Sequence, residues 1–170
     1  MRHHFEHEQL IPRSKTETFG FFANAANLER LTPESLNFKI RSALPIDMHS
    51  GTLIDYQIAL LGVPFRWCTL IEEFEPELRF VDVQLKGPYR YWRHLHEFRE
   101  VRGGTIVHDC VDYELPFGLL GEVVHNLFVQ RQLRHIFAFR RQAMLQIFDT
   151  SCETQSNDPA PRQRVFYEHV

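Results

Sequence analysis

Long apolar runs, cysteine and any excess of charge of one sign are what this chain has little of, and each shortage removes a class of protein. No uninterrupted apolar stretch approaches the roughly 20 residues that a bilayer-spanning helix needs. The opening Met1-Arg-His-His-Phe-Glu-His also lacks the apolar segment of a secretory signal. Neither a membrane span nor export is expected. The three cysteines, Cys68, Cys110 and Cys152, have no C-x-x-C or zinc-ribbon spacing, and an odd count in 170 residues does not make a disulfide framework. A reducing cytoplasm is the expected setting. Lysine and arginine total 19 against 22 aspartates and glutamates, so no global basic field points to nucleic acid or to an anionic membrane surface.

What is present is a single-domain length with one periodicity for most of the chain and another at its end. Residues 3 to 11 alternate as a first strand, with no strong preference between the His3, Phe5, His7 face and the His4, Glu6, Glu8 face. His3, His4 and His7 are expected to be solvated. Ser14 followed by Glu17 is a capping box that predicts a short helix from about Lys15 to Ala23. A second short helical piece fits Ala25 to Leu31, with Asn24 as cap and Thr32-Pro33 as stop.

Strand patterning then takes over. Phe38, Ile40 and Ser42 alternate with Lys39 and Arg41, and further strands are predicted at Thr52 to Leu61, Pro64 to Phe74, Arg79 to Lys86, Gly87 to Phe98 and Thr105 to Leu115. Only turns separate them, which argues for an antiparallel meander rather than βαβ units. From Leu119 to Phe148 there is no proline, and Val123, Val124, Leu127, Leu133, Ile136, Phe137, Met144 and Ile147 recur at helical spacing. That helix, about 40 Å long at 1.5 Å per residue, is the only element able to cover the apolar face of such a sheet. The expected fold is α+β, with seven curved antiparallel strands wrapped around a long C-terminal helix and two short helices after the first strand. Residues 1–148 form the domain, and 149–170 read as a polar tail whose Phe166-Tyr167 could dock on a neighbouring molecule.

The stretch from Gly87 to Phe98 carries the chemistry. As a strand it sets Arg90, Trp92, His94, His96 and Phe98 on one face, and two imidazoles and a guanidinium among large rings call for a polar-aromatic cavity rather than a plain core. In the last strand Thr105, Val107, Asp109, Val111 and Tyr113 share the more apolar face, so Asp109 points inward. A hairpin loop of Arg102-Gly103 puts His96 opposite Asp109, whereas a loop of Gly103-Gly104 puts Phe98 there. Either register keeps the histidines and the carboxylate on one side of the sheet.

This order of elements resembles the START-like, or SRPBCC, superfamily with its helix-grip fold, and within it the polyketide cyclase/dehydrase-like ligand-binding group. The resemblance spans residues 3 to 148. It rests on Asn27-Leu28 through Leu31-Thr32-Pro33, on Gly62-Val63-Pro64 with Trp67, on Gly87-Pro88-Tyr89 with Trp92, His94, His96 and Phe98, and on Asp109, Val111, Tyr113 and Pro116. It implies a cavity between sheet and helix more than it implies one reaction.

The candidate ligand-contacting residues are Arg90, Trp92, His94, His96, Asp109, Tyr113, Trp67 and Phe137, with Phe38 as a further stacking ring and Arg140 closing the cavity from the helix. Arg90 is expected to pair either with Asp82 or with an acidic ligand. His96 beside Asp109 reads as a structural hydrogen bond, as a general base, or, with His94 at i, i+2, as part of a metal site whose third ligand is Asp109 or lies elsewhere. The expectation set on these residues is no cofactor and no metal. Three functions remain open. The first is a carrier or sensor for a small hydrophobic or aromatic molecule. The second is a cyclase or dehydratase-type enzyme with His96 and Asp109 as catalytic pair and Arg90 or Tyr113 stabilising an oxyanion. The third is an interaction protein with a filled cavity that forms a defined homo-oligomer.

Overall fold

The computed structural model describes residues 1–116 and 118–149. Strands β1 (Arg2–Ile11), β2 (Lys39–Ile40), β3 (Leu53–Leu60), β4 (Val63–Glu75), β5 (Arg79–Lys86), β6 (Tyr91–Val101) and β7 (Gly104–Glu114) form one sheet in the order β1-β7-β6-β5-β4-β3-β2. All six pairings are antiparallel, and the first strand lies beside the last. The second strand is shorter than its alternation suggests. Only Lys39 and Ile40 pair with β3, while Arg41 and Ser42 reach the Asp55 carbonyl from outside the ladder. Register shifts between β4 and β5, with Leu85 the extra residue opposite Cys68/Thr69 and Glu72 the extra residue between Ile71 and Glu73, are bulges that bend a strand and strengthen the curl of its sheet.

Helix α1 (Lys15–Phe22) starts at Ser14, whose hydroxyl accepts from the Glu17 amide at 3.3 Å while the Glu17 carboxylate accepts from the Ser14 amide at 3.2 Å. Ala25–Leu31 is a 3-10 helix capped by Asn24, as its composition suggests. At the other end of the chain, α2 (Leu119–Val124), a π-helical turn (His125–Val129) and α3 (Gln130–Asp149) follow one another without a break. The buried His125 sits in that π turn, with its Nδ1 3.1 Å from the Tyr113 hydroxyl, and a π turn inside a helix often marks a site of use. Hydrogen bonds to its backbone carbonyls also hold the helix in place. The Gln9 amide donates to the Arg141 carbonyl at 3.1 Å, and the Arg13 guanidinium donates to the Phe148 carbonyl near the helix end at 2.6 Å.

The concave face of the sheet holds the core. Ile11, Phe19, Leu31, Phe80, Phe98, Val107 and Met144 pack between the sheet, α1 and the C-terminal part of α3, while Val111, Tyr113, Leu133 and Phe137 pack further along the helix. Hairpin β6–β7 closes through Arg102-Gly103. Gly104 follows at φ +148°, where a Cβ would run into the Ile11 carbonyl oxygen, so only glycine lets β1 end against this turn. This is the helix-grip α+β fold. The expected tail starts at 149, which is instead the last residue of α3; its remainder, 150–170, and with it the docking of Phe166-Tyr167, lies outside the described residues.

Candidate functional site

Three neighbouring strands bring the polar residues together. Register places His96 opposite Asp109 across β6 and β7, and Asp82 opposite His94 across β5 and β6. The Arg102-Gly103 loop is therefore the one that forms, and the two carboxylates flank the two imidazoles along a diagonal of the sheet. His94 Nε2 donates to Asp109 Oδ1 at 3.0 Å, and His96 Nε2 donates to Asp82 Oδ2 at 3.3 Å. His96 Nδ1 lies 2.7 Å from Asp109 Oδ1, but its N–H is not aligned for a hydrogen bond. The two rings stand 3.8 Å apart, and Phe80 stacks on His96 at 4.3 Å. From the helix, Arg140 Nη1 reaches within 3.8 Å of Asp109 Oδ1, with the guanidinium 5.0 Å over the Phe137 ring.

These groups are deeply buried: His94 and His96 are each 6% exposed and Asp109 2%. Burial alone would push the Asp109 carboxyl up, yet the hydrogen bond from His94 and the close imidazole of His96 outweigh it and hold Asp109 well below the usual carboxylate range. Asp82 is likewise lowered, because His96 and His94 overcome its desolvation. The histidines diverge. Burial and the neighbouring His96 lower His94, whereas Asp109 and Asp82 together overcome burial and raise His96. Two imidazoles interleaved with two carboxylates, and the Arg140 guanidinium beside Asp109, thus compensate one another, which is the condition under which buried charges persist.

The cluster forms the floor of a hollow between sheet and α3, with a volume of about 150 Å³. Asp82, His94, His96 and Arg140 line one side, and the rings of Phe22, Phe38, Tyr56, Trp67, Tyr89 and Trp92 line much of the rest. Trp67 stacks on Tyr56 at 5.7 Å and meets Trp92 edge-on at 5.3 Å, an aromatic wall on which a planar molecule could lie. A second apolar hollow of about 330 Å³ opens near the β3–β4 hairpin and shares Leu60, Tyr89 and Gln132 with the first. Its rim is greasy. Leu61, Val63, Val124 and Phe128 are all more than two-fifths exposed there.

Of the residues picked from the sequence, Trp67, Trp92, His94, His96 and Phe137 line the hollow, while Asp109 and Tyr113 stand one layer behind it. Arg90 does neither of the things expected of it. It is 72% exposed and its guanidinium meets Glu114 at 3.4 Å, because β6 starts only at Tyr91 and the alternation does not reach back through the bend at 87–90. The N-terminal histidines also differ from expectation. Only His4 is exposed, hydrogen-bonded to Asp112 and Glu6. His3 stacks on His125 at 3.5 Å and His7 lies beside Phe137, since β1 lines the same concave face as β7. Asp82 is the polar residue that the sequence reading misassigned, as a partner for Arg90. The signal was its position two residues from Phe80 on a strand next to His94. Cys110 lies on the convex face as expected, with burial pushing its thiol up to about 11, and among the described residues it pairs with no cysteine.

A curved antiparallel sheet gripping a C-terminal helix over a lined hollow defines the START-like, SRPBCC or Bet v 1-like class of fold, and this chain has it. Solved structures agree. TTHA0849 from Thermus thermophilus superposes with a TM-score of 0.71 at 16% identity, covering 89% of this chain and all of that one. Ara h 8.0201 gives 0.59 at 17% identity over 86% and 99% of the two chains. Ginseng major latex-like protein 151 from Panax ginseng gives 0.59 at 9% identity over 87% and 98%. No family model matches the chain, and none of the curated proteins does. At these identities the likeness is one of fold. Among the described residues no helix is long and apolar enough to cross a membrane.

Proposed function

We propose that this protein is a carrier or sensor that encloses a small hydrophobic, preferably aromatic, molecule between the sheet and α3. The observation that carries this reading is the segregation of the hollow: an aromatic wall of Tyr56, Trp67 and Trp92 against a single charged floor of Asp82, His94, His96 and Arg140. Apolar walls supply affinity, and a few convergent polar groups fix orientation. The inner hollow matches a single ring, since an engineered apolar cavity of about 150 Å³ holds benzene. Movement of Tyr89 or Gln132 joins it to the outer hollow and admits a fused-ring molecule, which would enter past Leu61 and Phe128. Free thiols at Cys68 and Cys110 suit a reducing, cytoplasmic setting.

Native mass spectrometry of the gently purified protein, followed by release and identification of any bound molecule, tests the reading directly. Both tryptophans line the hollow, so titration with aromatic ligands should change intrinsic fluorescence saturably at one equivalent. An empty protein whose fluorescence and melting temperature no aromatic, sterol or lipid probe moves would refute it.

The imidazole–carboxylate contacts at the cavity floor favour a second reading, proton abstraction next to a carbonyl in a cyclase or dehydratase-type reaction. His94 rather than His96 suits the base there, because burial and the neighbouring ring lower His94 toward the neutral form while Asp109 and Asp82 raise His96. The oxyanion partner is Arg140, since Arg90 is at the surface and Tyr113 is behind the wall. Turnover of a bound polyketide-like ketone, lost in His94→Gln with binding retained, separates enzyme from carrier.

A further inference from the structure

The two histidines present one nitrogen each to Asp109 and the other to Asp82, and this division has a specific consequence. With its proton on Nε2 facing Asp109, His94 turns the lone pair of Nδ1 toward Asp82 Oδ2 at 3.6 Å, beyond hydrogen-bond reach. His96 Nε2 stands 3.3 Å from the same oxygen. The three atoms lie within 4.8 Å of one another. A tetrahedral zinc ion with bonds of about 2.0–2.1 Å holds its ligand atoms about 3.3–3.4 Å apart, so the two distances to Asp82 already approximate tetrahedral edges. Asp109, against Nε2 of His94 and Nδ1 of His96, occupies the position of the outer carboxylate that orients metal-bound imidazoles.

We propose that His94 Nδ1, His96 Nε2 and Asp82 Oδ2 bind one divalent transition-metal ion of the zinc class, with Asp109 positioning His94 through its Nε2–H, lying 2.7 Å from Nδ1 of His96, and the fourth coordination position open to the hollow. From the sequence no metal is expected here, and a third ligand would come from Asp109 or from elsewhere in the chain. The geometry gives that place to Asp82, on the cavity side of the rings. Two imidazoles and one carboxylate with an open position suit zinc, cobalt or ferrous ions better than calcium or magnesium, which favour oxygen-only shells. Binding the ion displaces the Nε2 proton of His96 to solvent; with both imidazoles then neutral, Asp82 and Asp109 cancel the dication and Arg140 leaves one positive charge. An anionic oxygen donor entering from the hollow, such as a carboxylate or enolate, would cancel that charge. The site does not depend on the carrier reading, because the ion can bind whether or not an organic ligand follows.

A second cluster serves as an internal control. His4, Cys110 and Asp112 also converge, but on the convex face, where His4 is already bonded to Asp112 at 2.7 Å and to Glu6 at 2.9 Å. The test uses the full chain, stripped with chelator and titrated with Zn²⁺ and Co²⁺. Elemental analysis reads stoichiometry, competition with a chromophoric chelator reads affinity, and the visible d–d bands of Co²⁺ read coordination number. One equivalent with four-coordinate Co²⁺ bands is expected. Asp82→Asn should bind at least about 100-fold more weakly, Asp109→Asn about 10- to 100-fold more weakly, and His4→Ala like the parent. Circular dichroism establishes that each variant is folded. If Asp82→Asn does not fold, the Co²⁺-shifted imidazole resonances of the parent decide, and they must belong to His94 and His96. A folded parent that binds neither ion, unchanged affinity in Asp82→Asn, or loss on His4→Ala would each overturn the proposal, the last by placing the metal at the N-terminal histidines.

Discussion

Replacing Phe137 by alanine tests packing and function together. The ring is 3% exposed, sits 4.8 Å from Phe5 and 5.9 Å from His94, carries Arg140 at 5.0 Å on its face, and lines the hollow. Its removal forfeits about 2 kcal/mol of transfer free energy. It also leaves roughly 100 Å³ of new void beside the hollow, worth about 2.4 kcal/mol at 24 cal/mol per Å³ if the walls do not collapse. The expected loss is about 4 kcal/mol in urea denaturation, or a melting temperature lower by roughly 8–16 °C at this chain length. Because the void is continuous with a ligand space, an aromatic molecule can fill it. Naphthalene should bind Phe137→Ala more tightly than the parent and recover up to about 2.7 kcal/mol at 100-fold excess over its Kd. A loss under about 1.5 kcal/mol with unchanged preference between benzene and naphthalene would refute the reasoning, since it would mean that Phe137 does not separate core from cavity.

Further outcomes follow from the same contacts. Ser14→Ala should cost about 1 kcal/mol in chemical denaturation by removing the α1 capping box. Tyr113→Phe removes the hydroxyl that meets His125 at 3.1 Å and should cost roughly 1–2 kcal/mol, with faster amide exchange confined to 125–129. Gly104→Ala should destabilise by more than about 2 kcal/mol, as the added methyl meets the Ile11 carbonyl; a melt within a degree of the parent would contradict the close approach of β1. Burial lowers His7, so its contribution to stability is present above the unfolded value near 6.5 and is lost as pH falls below it. His7→Gln should flatten that limb of the stability–pH curve below about pH 6.5.

Local patterns in the chain determined the capping box at Ser14, the short helical piece after Asn24, five of the later strands and the helical stripe ending at Ile147. These features are set by neighbours along the chain, through alternation, caps and breakers, and the short β2 strand shows where such signals weaken. The hairpin residues Arg102-Gly103-Gly104 narrowed the His96 partner to two registers, and the inward faces of β6 and β7 were legible from their polarity. Tertiary structure decided the rest. Whether Asp82 serves Arg90 or the histidines depends on where β6 begins, and whether His3 and His7 meet water depends on β1 closing against β7, more than a hundred residues away. Arg140 could be placed on the helix but not against Asp109, because that contact is set by the stand-off between helix and sheet. The same stand-off fixes the volume of the hollow. Side-chain periodicity says which faces meet, while the distance at which they stop is a property of all the rings packed between them.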